Sequence, residues 1–454
     1  MWRNADGFAR DDGGGSPGVH FCHACTLARV ARIGAHMVKG SRSGRVWARG
    51  IDRMIASNRY IVLLGDIDAP TPNEMREALA ALATAGPHTR VALTPIHSER
   101  FWRYQPCAPV PVHEVPATVA ESGIAAVLHH VRHRPGPRRP LEVTVTDRHI
   151  AVESDHGLGD VALMHYLFAA ILALVDGRTT PFVTRRDTSL ALPRALLHTF
   201  VRHPSQLRRT VRYAKSIQTE PGGAEDPGGA ERAWTPSIAV SLACPDVAAV
   251  AAVDGWRRAQ TTPIGAGSAW LFIAQRALLE AGLPLRDRSM VAFNCRRYLP
   301  SGRTVYSNFG VGLEVPLPVD GSVAELAGHV RTMTESAVPL AALGALSARL
   351  LASSGSPESA PADEMITDLP ARLMYSDLGR MSDLDGAPWR TDGTRAFAGN
   401  VQPDSPHDVS IFTASVSAHR NVSFSYHDNV FDRSILDRAA QLITADPLRF
   451  LEAG

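Results

Sequence analysis

The chain has 454 residues, 45% hydrophobic and 20% charged, with 47 basic against 45 acidic side chains for a formal net charge of +2. Such a length exceeds one simple core and implies two domains or two lobes of a double domain, and the even charge balance gives no reason to expect a nucleic-acid partner. Five scattered cysteines, Cys22, Cys25, Cys107, Cys244 and Cys295, do not form a disulfide framework, so a reducing cytoplasm is the expected compartment.

Residues 1 to about 50 carry "DDGGGSPG" and "SRSGRVWARG" without the basic start, apolar run and cleavage site of a secretory signal. Residues 1–45 are expected to be a loosely ordered extension, with Met37 or Met54 as alternative starts. "RYIVLLGDI" predicts a strand, and "TPNEMREALAALATAG" a helix that starts at Thr–Pro and closes on Gly86. "TRVALTPI" predicts a further strand, and "LEVTVTDRHIAVES" two strands about an Asp–Arg turn. "VALMHYLFAAILALV" is apolar almost all round and too short to span a bilayer, so it is expected as a buried helix.

"EPGGAEDPGGAER" reads as a flexible crossover, placing a linker at 216–235 between an N-terminal lobe at 46–215 and a C-terminal lobe at 236–454. Beyond it, "PSIAVSLAC" predicts a strand, "PDVAAVAAVDGWRRA" and "AGSAWLFIAQRALLEAG" helices, and "RSMVAFNCRRYL" a strand. "SSGSPESAPAD" predicts a mobile loop, and "RSILDRAAQLITAD" a last helix. Helices and strands mix in both halves, which favours two α/β lobes over one doubly wound sheet.

"SDHGLGDVALM", residues 154–164, carries the chemistry. A histidine four places before an aspartate is a weak signal by itself, because Asp160 is a preferred helix cap and His156 could be an ordinary loop residue. The position between a strand and a buried helix strengthens it. Gly157 and Gly159 permit close approach of a ligand, and a neutral histidine suits removal of a proton from an alcohol or amine near pH 7.

Other stretches carry less. "HFCHAC" lacks the second ligand pair of a zinc site, so no metal is expected. "IGAGSAW" reads as a helix entry, since Trp270 stands where a dinucleotide fingerprint wants a small residue. "HHVRHRPGPRRP" (129–140) reads as a solvated basic loop, or more sharply as a landing site for an acidic carrier protein or CoA phosphates. Cys295 is expected as a buried side chain in an apolar strand.

"DHGLGDV" resembles the HHxxxDG signature of the CoA- and carrier-protein-dependent acyltransferase superfamily, which includes nonribosomal peptide synthetase condensation domains and polyketide-associated acyltransferases. "GIDRM", "FNCRRYLPSGRTVYSNFGVGLEV", "YSDLGRM" and "VSFSYHDNVFDRSILDRAAQLI" resemble other segments of that superfamily, in its order, over roughly residues 48–450. The resemblance implies an α/β fold of two chloramphenicol-acetyltransferase-like lobes, a V-shaped pseudo-dimer with a central tunnel. It implies His156 as general base, Asp160 as its structural aspartate, Arg296 as the partner of Asp160, and Asn308 and Phe309 in a bridge segment near the tunnel. Three positions depart from the pattern. Asp155 replaces the first histidine, Val161 replaces the final glycine and could reshape the acceptor channel, and Ser376–Asp377 replaces Ser–Asn.

The implied reaction moves an acyl group from an acyl-CoA or acyl-phosphopantetheine carrier to a hydroxyl or amine, in natural-product or lipid biosynthesis. No bound cofactor and no covalent acyl-enzyme are expected, and the chain holds no G-x-S-x-G elbow. A monomer without a membrane span is expected. The rivals are an inactive docking module for a carrier protein or partner enzyme, and a cyclase or dehydratase on the same scaffold.

Overall fold

The computed structural model describes residues 43–218, 231–352, 364–367 and 369–452. Most of the expected N-terminal extension, the 20–25 stretch, the crossover at 219–230 and the loop at 353–363 lie outside the described residues.

Two mixed sheets organise the molecule. The first has five strands in the order β14-β2-β7-β6-β5: β2 (Arg59–Gly65), β5 (Val112–Glu114), β6 (Leu141–Val145), β7 (His149–Asp155) and β14 (Ala396–Val401). The second has six in the order β11-β10-β13-β15-β16-β9: β9 (Ile238–Ala243), β10 (Leu285–Asn294), β11 (Gly310–Pro316), β13 (Ala371–Arg380), β15 (Asp408–Val416) and β16 (His419–His427). Two small sheets complete the strands, one of β1 (Gly44–Trp47), β4 (Phe101–Tyr104) and β3 (Leu93–Thr94), the other of β8 (Glu231–Ala233) and β12 (Glu364–Ile366). This is the mixed α/β class expected. Strand β1 begins inside the expected extension, and only two residues of "TRVALTPI" form a strand. Arg90 there adopts a left-handed φ of 64° behind a turn of 3-10 helix.

The expected division at 216–235 does not hold for β14. It comes from the C-terminal half but pairs antiparallel with β2, Val401 opposite Tyr60 through to Ala396 opposite Gly65. Its other edge faces β16. The Phe397, Gly399 and Val401 N–H groups donate to Asn421 Oδ1 (2.8 Å), Ser423 Oγ (3.1 Å) and Ser425 Oγ (3.0 Å). An edge strand leaves alternate N–H groups unpaired, and here three polar side chains of β16 satisfy them. The seam continues into the core, where Phe397 meets Phe168 edge-on at 5.7 Å and stacks with Phe412 at 6.2 Å.

The helix Val161–Val175 is buried along ten of its positions, which explains its almost uniformly apolar sequence. Among the described residues no single helix is long and apolar enough to cross a membrane.

Three of the four arginines of the 129–140 run turn inward, whereas Arg139, His129 and His133 stay exposed, so the run is a solvated basic loop only in part. Arg132 donates to Asn400 Oδ1 and to the Asn400 and Arg59 carbonyls, and burial presses its pKa down to about 10. Arg134 pairs with Glu142, and Arg138 lies 3.5 Å from Glu153. Both glutamates are buried. They come from neighbouring strands β6 and β7, so Arg134 and Arg138 tie the run to the sheet.

Candidate active site

The chemistry-bearing turn is built where β7 ends. Asp155 closes the strand and caps a single 3-10 turn, His156–Leu158, its Oδ1 accepting from Gly157 N at 2.8 Å. Its Oδ2 accepts from Ser57 N at 3.1 Å. Burial pushes the Asp155 carboxyl pKa upward, and these two donations act against that. At the next glycine the constraint is space. A Cβ on Gly159 would sit 2.8 and 2.9 Å from the Leu163 side chain and 2.9 Å from the Tyr306 carbonyl oxygen. A Cβ on Gly157 would meet the Asp52 carbonyl oxygen at 3.0 Å. The chain then enters the helix Val161–Val175 with Asp160 as cap, Oδ1 accepting from Ala162 N at 3.1 Å.

His156 is half-buried. Its N–H donates to Asn58 O at 2.8 Å, and its carbonyl accepts from Asn308 Nδ2 at 2.9 Å. The ring meets Tyr60 edge-on at 5.0 Å. Tyr60 is fully buried and donates its hydroxyl to Gly159 O at 2.8 Å. Burial, then the Asp160 charge, drives the Tyr60 pKa upward, so it stays a neutral donor. His156 Nδ1 is buried without a hydrogen-bond partner, and so is Asn308 Oδ1. Buried polar atoms are nearly always paired, so each unpaired one calls for an explanation.

Asp160 does two things at once. Besides capping its helix, it receives Arg296 bidentately, Nη1 to Oδ2 at 2.8 Å and Nη2 to Oδ1 at 2.9 Å. Arg296 follows β10 directly, on a 3-10 turn capped by Asn294. Its Nε and Nη2 also donate to the Val305 and Ser307 carbonyls, each at 2.7 Å. Burial disfavours the guanidinium charge, but Asp160 outweighs it and the Arg296 pKa is raised. Phe309 N donates to Asp160 Oδ2 at 3.1 Å. The segment from Arg296 to Phe309 thereby fastens the C-terminal half to the histidine turn.

A second acid–arginine pair, which the sequence reading missed, braces the same turn. Asp52 is 1% exposed, and its Oδ2 pairs with Arg90 Nη2 at 3.0 Å. Arg90 also donates to Gly157 O at 3.1 Å. Asp52 Oδ1 accepts from Asn308 N (3.2 Å) and Nδ2 (2.8 Å). Nothing in the local sequence joins Asp52 to a residue 38 positions away; "GIDRM" drew notice only as part of the resemblance.

The structure thus brings His156, Asp155, Gly157, Asp160, Arg296, Asn308 and the Phe309 backbone together. The Phe309 ring instead packs in a core cluster with Ile51, Cys295 and Val305. Val161 is buried in the N-terminal core, so its side chain is taken up by packing. Ser376 lies in the central strand β13, and among the described residues no hydrogen bond joins it to the cluster. Its neighbour Asp377 holds a separate network, Oδ1 accepting from Arg420 Nη2 (2.7 Å) and Thr413 Oγ1 (3.0 Å). Cys295 is buried, on the 3-10 turn rather than in a strand, and burial pushes its thiol pKa up to about 12. An open cleft of about 610 Å³ lies elsewhere, lined by Thr118, Ser122, His129, His130, Val240 and Arg433 among others. Among the described residues no cluster of His, Cys, Asp and Glu could hold a metal ion.

No family model matches the chain, and no curated protein matches its sequence. Solved structures do match its fold. A trichothecene 15-O-acetyltransferase of Fusarium sporotrichioides aligns at a TM-score of 0.57 and 14% identity, over 90% of this chain and 97% of that one. The condensation domain of the monacolin K polyketide synthase aligns at 0.54 and 13%, over 90% and 98%. The EpoB cyclization-docking bidomain of Sorangium cellulosum aligns at 0.59 and 12%, over 94% and 91%. The chain shares its fold with these acetyltransferase, condensation and cyclization structures.

Proposed function

We propose that the protein is an acyltransferase that moves an acyl group from a CoA or carrier-protein thioester to a hydroxyl or amine, with His156 as general base. The two halves form a V with a tunnel, the thioester entering from one face and the acceptor from the other. His156 takes the acceptor's proton as the oxygen or nitrogen attacks the thioester carbonyl. The carbon–sulfur bond then breaks, and the departing thiolate leaves as the thiol with that proton. Holding both reactants in line supplies much of the rate. Asp160, Arg296, Asp155 and Asn308 touch neither reactant; they position the turn. The acyltransferase-type fold supports this reading, and one observation carries it: Asn58 from one half and Asn308 from the other anchor the backbone of His156 while the residue itself keeps partial exposure.

The test is incubation of the purified protein with a panel of acyl thioesters and candidate alcohols and amines, read by mass spectrometry. Transfer adds the acyl mass to the acceptor. His156→Ala is expected to keep the parent circular dichroism and lose transfer by about a hundredfold or more; full activity in that variant removes His156 from the chemistry. The likeness to a cyclization-docking bidomain favours one second reading, ring closure on the same scaffold. A product lighter by one water would mark it, and no turnover at all would leave a docking module.

A further inference from the structure

Residues 188–218 stand apart from the rest of the chain in charge. They contain no aspartate or glutamate, while Arg194, Arg202, Arg208, Arg209, Arg212 and Lys215 give them six formal positive charges in a chain whose total is +2. The segment is helical nearly throughout: Ala191–Leu196, then a π-helical turn Leu197–Val201, then Pro204–Gln218. It is also the most apolar stretch of the described surface. Leu190, Leu197, Val201, Leu207 and Val211 are 71, 56, 66, 51 and 47% exposed, half of all the large exposed hydrophobic side chains.

The last helix shows how the two properties combine. Thr210 is buried and bonds to the Gln206 carbonyl and to Ser336 O, which fixes the inward face. At 100° per residue Arg208 and Arg212 lie opposite Thr210, with Val211 and Leu207 along one flank between them and the inward face, all four exposed. Among the described residues, Arg202, Arg208, Arg209 and Arg212 have no acidic partner. Exposed leucine and valine gain little from water, and unpaired arginines on one face repel one another.

We propose that this face docks peripherally on an anionic lipid bilayer. The positive charge draws the segment to anionic headgroups, and Leu190, Leu197, Val201, Leu207 and Val211 enter the boundary between headgroup and acyl chain. Leu197 with Val201 and Leu207 with Val211 form two small apolar pairs, four residues apart on their helical segments, and the clefts of about 610 and 330 Å³ include none of the five side chains. Shallow apolar pairs beside arginines without acidic partners, with no groove among them, suit the boundary of an anionic bilayer. The docking is independent of His156 chemistry.

The test uses the full chain and flotation with phosphatidylcholine vesicles, with or without phosphatidylglycerol. The chain is expected to float with the anionic vesicles, less so as salt rises. Leu207→Glu/Val211→Glu is expected to weaken that binding about tenfold or more, and Arg208→Gln/Arg212→Gln to reduce the preference for phosphatidylglycerol. Circular dichroism matching the parent shows that these surface variants fold. Failure to float with anionic vesicles overturns the proposal, as does undiminished binding by the Leu207→Glu/Val211→Glu variant. Retention on a polyglutamate resin without vesicle binding also overturns it, in favour of an acidic protein.

Discussion

Arg296 grips Asp160 through both terminal nitrogens, while the same carboxylate caps the helix Val161–Val175 and accepts the Phe309 N–H. One side chain therefore sets the start of a buried helix, the end of the histidine turn and the attachment of the second half. Arg296→Ala is expected to lower stability by about 2–3 kcal/mol, somewhat below the ~3–5 kcal/mol of a fully buried ion pair, because Asp160 keeps some solvent contact. Arg296→Lys is expected to recover little, since a lysine cannot supply the bidentate grip and two carbonyl bonds together. Urea denaturation of the three proteins checks this; wild-type midpoints in both variants would deny the pair its anchoring role.

Gly159 tests the turn differently. Its φ of 165° is open to any residue, so a loss on substitution arises from crowding against Leu163 and the Tyr306 carbonyl. Gly159→Ala is expected to destabilise by about 1–3 kcal/mol, as overpacking does. Reducing the neighbour as well, with Gly159→Ala/Leu163→Ala, relieves only the side-chain part of the clash. A coupling energy between the two sites in a double-mutant cycle is the expected signature, and strict additivity would contradict it.

Much of this architecture is legible in the sequence, for definite reasons. The helix Pro72–Ala85 announces itself through Thr71 and Glu74, which form a capping box ahead of an apolar stripe. Asp160 is legible twice, as a cap by residue type and as the partner of Arg296 by resemblance, and both roles hold together. Long-range partnerships are not legible. Residues 396–401, "AFAGNV", show nothing to send them to the opposite half, because the partners that fix them are β2 and three polar side chains of β16. Arg90 sits in an apolar run that reads as a strand, yet it adopts a left-handed turn to reach Asp52 and Gly157. Arg134 and Arg138 read as part of a basic surface until Glu142 on β6 and Glu153 on β7 draw them in.

The β14 seam yields a prediction of its own. Ser423 and Ser425 are fully buried, and each accepts from one β14 N–H. Alanine at either position leaves a backbone donor unpaired away from water, so each single variant is expected to lose about 1–3 kcal/mol. Thermal melts measure the loss. Threonine at the same site keeps the hydroxyl acceptor and distinguishes the lost bond from altered packing. If alanine and threonine variants melt alike, the hydroxyls are not what closes the seam.

His427 lies where β16 ends, 1% exposed, its ring edge-on to Trp234 at 4.7 Å and its Nδ1 accepting the Ser237 N–H. Burial lowers its pKa from 6.5 to about 4. Between those values the unfolded chain binds a proton that the folded chain does not, so stability falls as the pH drops from 6.5 towards 4. The loss attributable to this group is on the order of 3 kcal/mol at full titration. Acceptance by Nδ1 sharpens the effect, because a proton on that nitrogen ends the bond from Ser237. His427→Gln can keep an acceptor near Ser237 without a titrating ring. Urea midpoints at about pH 7 and about pH 5 should then differ less in that variant than in the parent protein. An unchanged difference would assign the acid sensitivity to other groups.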